Sequence, residues 1–168
     1  MEADRALCRA ITEETGVPCT TSVLGLCGIL EMLGTKEMGL VTPYLDEVQE
    51  RIVRTFGEEG YEVVAESHLG KKANVEFAEI GEEVLDRQVE EVVRKMGNSE
   101  GKIRVISTFC TNLRAAHRAE RWETQYENLI VLDTVATVIW DLLRILAVDM
   151  SGIPGWGKMF RIDMQNPD

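Results

Sequence analysis

The chain has 168 residues, with 29 acidic against 18 basic side chains and a formal net charge of −11. That length suits one domain, and an apolar fraction of 45% is enough to build a core, so wholesale disorder is excluded. The acidity argues against a nucleic-acid or general phosphate binder, which needs a basic face to displace counterions. No apolar run reaches bilayer length, because Asp141 and Arg144 interrupt the longest one, near 129–148. Met1 to Glu14 lacks a basic head followed by an apolar run, so no signal peptide is predicted. The four cysteines form no CxxC pair, and His68 and His117 complete no zinc pattern. We therefore expect free thiols, no metal and a reducing, cytoplasmic compartment.

The first predicted element is a helix over 3–14, with Ala6, Leu7, Ala10 and Ile11 at helical spacing. The chain is expected to begin inside an element, since Met1-Glu2-Ala3 offers no strand or loop before the helix. Thr15-Gly16 ends it, and Val17 to Thr20 is extended. Ser22 is the predicted cap of a helix from Val23 to Leu33, closed by Gly34. Met38 to Thr42 reads as a buried strand, broken by Pro43-Tyr44. An amphipathic helix follows over Glu47–Glu59, then a strand over Tyr61–Ala65 and a polar loop over Gly70–Asn74. Ile80 to Met96 is a long helix with an apolar stripe of Val84, Leu85, Val89, Val92 and Val93. Its acidic residues Glu82, Glu83, Glu90 and Glu91 make a solvated face. A turn over 97–101 leads to a strand over Ile103–Thr108, a helix over Arg114–Tyr126, a strand over Leu129–Leu132 and a helix over Thr134–Leu146. The tail from Asp149 is Gly/Pro-rich and weakly ordered by itself. Strands alternating with helices predict an α/β fold on a mainly parallel sheet, whose ligands bind beyond the carboxyl ends of the strands.

Three predicted strand ends carry polar or reactive residues: Cys19 to Ser22, Thr42 to Tyr44, and Cys110 to Asn112. Cys110 is the leading candidate. It follows a strand and precedes a predicted helix starting near Leu113, whose dipole would favour the thiolate. The N–H groups of Thr111, Asn112 and Leu113 would cradle a carboxylate there, although an inert buried cysteine fits the same position. Tyr44 presents a hydroxyl after the Pro43 turn, and Asn74 offers an amide; taken alone, each is an ordinary turn residue. Cys19 is either a second thiol facing the same cleft or, more commonly at such a place, a packed small residue. Cys8 and Cys27 read as core residues. His68 and His117 have no acidic or hydroxyl partner at a recognisable spacing and read as structural.

The strand-end segments resemble a known family. Gly39-Leu40-Val41-Thr42-Pro43-Tyr44, Leu69-Gly70 with Asn74, and Ser107-Thr108-Phe109-Cys110-Thr111-Asn112-Leu113-Arg114 follow in order. With Gly16-Val17-Pro18-Cys19-Thr20-Thr21 ahead of them, they resemble the maleate cis-trans isomerase and arylmalonate decarboxylase family of the aspartate/glutamate racemase superfamily. The resemblance covers about residues 10–148. It implies a three-layer, parallel-sheet α/β lobe of the Asp/Glu racemase type, with a second lobe incomplete. Residues 36–131 would be the complete lobe, and 1–35 and 132–168 remnants of the other. The first-lobe cysteine of the isomerases would fall upstream of Met1. Asp133-Thr134-Val135-Ala136 stands where the family tends to have a Ser-Asn-Gln-like segment.

The resemblance also implies a cofactor-independent enzyme acting on a small dicarboxylate or amino-acid-like substrate. Cys110 would be the catalytic thiol. Tyr44 and Asn74 would contact the substrate carboxylate, with Thr111 and Asn112 beside them in an anion pocket at the Pro43 turn. The main expectation is an isomerase or racemase. The alternatives are a decarboxylase using one cysteine, and a truncated inactive member that binds small anions or pairs with another chain. No nucleic acid or membrane is an expected partner, and a homo-oligomer would suit edges left bare by missing strands.

Overall fold

A computed structural model describes residues 1–97 and 101–162. Its elements are α1 (Glu2–Thr15), α2 (Ser22–Met32), β1 (Glu37–Thr42), α3 (Asp46–Glu58), β2 (Glu62–His68), α4 (Asn74–Ala78), α5 (Glu82–Met96), β3 (Arg104–Thr108), α6 (Ala119–Gln125), β4 (Leu129–Asp133) and α7 (Thr134–Ile145). Single 3₁₀ turns lie at Ala116–Arg118 and Lys158–Arg161.

The four strands form one parallel sheet in the order β2-β1-β3-β4. Parallel neighbours require crossovers, and α3, α5 and α6 provide them. Because strand side chains alternate, each strand feeds two cores. Met38, Val105, Ile130 and Leu132 pack with Leu26, Ile29 and Leu30 of α2, Phe56 of α3 and Trp140 of α7. Val41, Ile106 and Val131 pack with Leu85, Val89 and Val92 of α5 and Trp122 of α6. The result is the three-layer α/β architecture expected. At Gly39 in β1, an added Cβ would sit 2.4 Å from Val92 Cγ1 and 3.1 Å from Met96 Sδ. The bare backbone is what lets α5 lie so close to the central strand.

Several local expectations need correction. Thr21, not Ser22, caps α2: its backbone is extended and its hydroxyl accepts from the Leu24 N–H at 3.2 Å. Ser22 is already helical. β2 runs on to His68, and Asn74 opens the short helix α4 instead of closing a loop, because Phe77 is pulled into the core. The predicted helix over 114–126 shrinks to the 3₁₀ turn and α6. Leu113 and Ala115 are both buried, which draws the segment inward before a helix can begin. The tail is not loose: Met150, Met159 and Phe160 are buried against the sheet. Lys158 fastens it, its N–H donating to Glu123 Oε2 at 2.7 Å and its Nζ to the Leu129 carbonyl at 3.0 Å. Residues 98–100 of the predicted turn lie outside the described residues.

Candidate active site

All four strands end on polar residues: Thr42, His68, Thr108 and Asp133. Their register keeps them on one edge, with Thr42 opposite His68 and Thr108 opposite Asp133. Asp133 is 1% exposed and caps α7, accepting from Val135 and Ala136 N–H groups at 2.9 and 3.2 Å. The Thr108 hydroxyl donates to its other oxygen at 2.9 Å. Burial pushes the Asp133 carboxyl above its ordinary pKa, against those hydrogen bonds.

Cys110 lies two residues beyond β3 and is 5% exposed. The Phe109 N–H donates to the Val41 carbonyl at 2.9 Å, which carries the pairing of β1 and β3 up to the thiol. Pro43 turns the chain after β1, and Tyr44 packs against the core cluster that contains Cys110, close enough for the thiol to act on its hydroxyl. Burial first, and then that thiol, push the tyrosine pKa upward, so the hydroxyl keeps its proton. The Tyr44 ring meets Phe77 of α4 edge-on, with centroids 5.5 Å apart. Asn112 Nδ2 reaches the Asn74 carbonyl at 3.4 Å, and Thr111 is exposed beside it. Pro43 is buried, its carbonyl accepting the Lys71 N–H at 2.8 Å, while the Tyr44 carbonyl accepts the Gly70 N–H at 3.0 Å. The fold thus brings Tyr44 to Cys110 and Asn112 to the start of α4.

The helix-dipole argument for Cys110 fails. The Leu113 N–H closes a turn onto the Cys110 carbonyl at 3.2 Å, and α6 starts only at Ala119. Cys19 lies against Cys8 of α1, in a hollow also lined by Arg5, Arg9 and Leu24. Burial, followed by Cys19, pushes the Cys8 thiol up to about 11. Among the described residues, no cluster of three or more His, Cys, Asp or Glu side chains is arranged to hold a metal ion. No described helix is long and apolar enough to cross a membrane. A hollow of about 550 Å³ opens at the other end of the sheet, between Gly34, Glu37, Lys102 and Arg104. It contains none of the candidate residues.

One set of residues was missed. Both histidines do have acidic partners: His117 Nε2 lies 2.9 Å from Glu82, and His68 has Glu66 at 2.8 Å from Nδ1 and Asp46 at 3.0 Å from Nε2. Gln49 donates to Glu66 at 2.9 Å and accepts the Thr42 hydroxyl at 2.7 Å. Gln88 of α5 donates to the Thr42 and Ser67 carbonyls at 3.1 and 3.0 Å, tying β1 to β2 at their ends. The i,i+2 spacing of Glu66 and His68 on one face of a strand was the available signal.

Comparison with known proteins bears on this edge. The family model described as arylmalonate decarboxylase matches residues 1–160. The arylmalonate decarboxylase of Bordetella bronchiseptica is 26% identical over 155 residues, covering 92% of this chain and 62% of that protein. A crystal structure of arylmalonate decarboxylase superposes with a TM-score of 0.77 at 24% identity, covering 96% of this chain and 68% of that one. Maleate isomerase from Pseudomonas putida shares the fold, with a TM-score of 0.76 at 21% identity, covering 94% of this chain and 61% of that one. This chain therefore spans a little under two thirds of the curated relative it matches. A family match over nearly every residue, on the parallel sheet whose carboxyl edge holds Tyr44 beside Cys110, shows that the chain belongs to the arylmalonate decarboxylase family.

Proposed function

We propose that the chain carries the thiol half-site of a cofactor-independent enzyme acting on a small dicarboxylate or amino-acid-like substrate. The packing of Tyr44, after β1, against the cluster that holds Cys110, after β3, is the observation that carries this reading. In the isomerase form, the Cys110 thiolate adds to one alkene carbon and the π pair moves to the other, next to a carboxylate. Rotation about the new single bond follows, and the pair returns to expel the thiolate and leave the trans product. Tyr44, Asn74, Thr111 and Asn112 would bind the carboxylate at the Pro43 turn. Racemisation would need a second thiol on the opposite face. Residues 36–131 form the complete lobe in this proposal, with 1–35 and 132–168 belonging to the other. The setting is a reducing cytoplasm, and a homo-oligomer is the expected assembly.

A second reading, decarboxylation with one cysteine, is favoured by the position of Cys19 against Cys8. There the C–CO₂ bond breaks, CO₂ leaves, and the Cys110 thiol gives its proton to the enediolate carbon. The two readings are separated by incubating the chain with maleate, with an arylmalonate and with aspartate. Fumarate formation or racemisation supports the first and CO₂ release the second. Both must vanish in Cys110→Ala and survive in Cys19→Ala. An equally active Cys110→Ala removes the thiol mechanism. No turnover of any of the three leaves a small-anion binder or a subunit of a larger assembly.

A further inference from the structure

His68 closes β2 with a carboxylate on each ring nitrogen. An ionised carboxylate only accepts, so both contacts are satisfied only when both nitrogens carry hydrogen, that is, in the imidazolium. The two carboxylates stand at strategic places. Asp46 begins α3, two residues after Tyr44. Glu66 leads through Gln49 to the Thr42 hydroxyl, two residues before Tyr44. Just beyond His68, the Gly70 and Lys71 N–H groups bind the Tyr44 and Pro43 carbonyls at 3.0 and 2.8 Å. One cation thus ties the end of β2 to both ends of the segment that aims Tyr44. We infer that His68 is a positioning residue, which as a cation holds the Tyr44 turn against Cys110 and lets it loosen when the proton is lost. The inference rests on the proposed site.

The surroundings support this assignment. α3 presents Asp46 and the neutral Gln49, and β1 presents the neutral Thr42. Lys71 in the next loop lies 3.9 Å from Glu76, and Lys95 of α5 donates to the Glu66 carbonyl from the other face. Burial opposes the charge on His68, but Glu66 and Asp46 more than offset it, so its pKa lies above the ordinary histidine value. A raised pKa means that the clamp is intact below about pH 6.5 and is lost as the pH climbs through the folded value.

The test follows Cys110 alkylation by iodoacetamide, read peptide by peptide across pH 5.5–9, in parallel with turnover. His68→Arg keeps two N–H donors and a fixed charge, so it is the reference in which thiol ionisation is retained without the clamp's titration. The ratio of wild-type to His68→Arg alkylation is expected near one at the acid end. It should rise about fivefold at the alkaline end, the size of one partly exposed charge-assisted hydrogen bond. His68→Gln should be fast throughout relative to His68→Arg. Asp46→Asn, a change at an exposed side chain, should move the rise to lower pH because a carboxylate that holds the proton is gone. A flat ratio together with an unmoved Asp46→Asn profile overturns the inference. A rising ratio without any turnover keeps the clamp and overturns the enzymatic reading instead.

Discussion

Two glycines of α2 give opposite predictions for the same substitution. At Gly25, an added Cβ would lie 2.6 Å from the Thr137 carbonyl oxygen and 3.2 Å from Asp141 Cβ; at Gly28 it would meet nothing within 4 Å. Ordinary contact begins near 3.4 Å, so α7 would have to retreat by about 0.8 Å at Gly25. The Thr137 hydroxyl, which donates to the Ser22 carbonyl at 3.2 Å, resists that retreat. Replacing a helical glycine by alanine gains about 1 kcal/mol of helix propensity. Overpacking against a neighbour that cannot rotate away costs about 1–3 kcal/mol. Gly28→Ala should therefore stabilise the chain by about 0.5–1 kcal/mol, and Gly25→Ala should give up that gain and destabilise it by up to about 2 kcal/mol net. The melting temperature of Gly25→Ala should fall below that of Gly28→Ala by up to about 10 °C, at about 2–4 °C per kcal/mol for a chain of this size. Thermal melts and urea midpoints followed by far-ultraviolet circular dichroism read both. Equal stabilisation by the two alanines would show that α2 does not rest on the α7 backbone at Gly25. The docking of residues 1–35 onto 132–168 would then need another account.

Two further substitutions probe the site and its support. Tyr44→Phe keeps the ring on Phe77 and removes the hydroxyl beside Cys110. Stability should change by less than about 1 kcal/mol, while turnover falls about 100-fold, as for loss of one placed donor; an unchanged kcat refutes a role for the hydroxyl. Asp86 accepts from Trp122 Nε1 and Arg118 Nη2, both at 2.7 Å. Burial works against its charge, but Arg118 and Trp122 prevail and hold its pKa below the ordinary 3.8. A depressed acid contributes stability above its unfolded pKa and loses it as the pH falls through the folded one. Asp86→Asn should cost about 1–2 kcal/mol at pH 7, and the gap to wild type should close in melts run below pH 3.8. A gap independent of pH would refute the linkage.

β1, β3 and β4 were legible because each is a short apolar run buried on both faces, and α5 because its valines recur at helical spacing; β2, a half-exposed edge strand ending in Glu-Ser-His, was read three residues short. What escaped was decided by tertiary contacts. α4 exists because Phe77 goes under Tyr44, and five residues carry no periodic signal. α6 starts late because Leu113 and Ala115 enter the core. The tail holds because Glu123, 5% exposed, accepts the backbone N–H of both Val131 and Lys158. Nothing in a Gly/Pro-rich tail announces a partner 35 residues upstream.

The site divides the same way, and the division bears on mechanism. That Cys110 and Tyr44 come together was readable because a parallel sheet gathers the residues after its strands on one edge. The helix dipole expected at Cys110 is nonetheless not there: among the described residues, no helix begins beside it. In the arrangement inferred above, Tyr44 borders the thiol, and the ends of its turn are tied by Gln49, Glu66, His68 and Gln88. These come from α3, β2 and α5, and their polar contacts link residues up to 46 positions apart. A helix dipole would act on the thiol at every pH. A turn held through a histidine acts only while that histidine is charged, so the pH dependence of Cys110 access distinguishes the two origins without reference to any substrate.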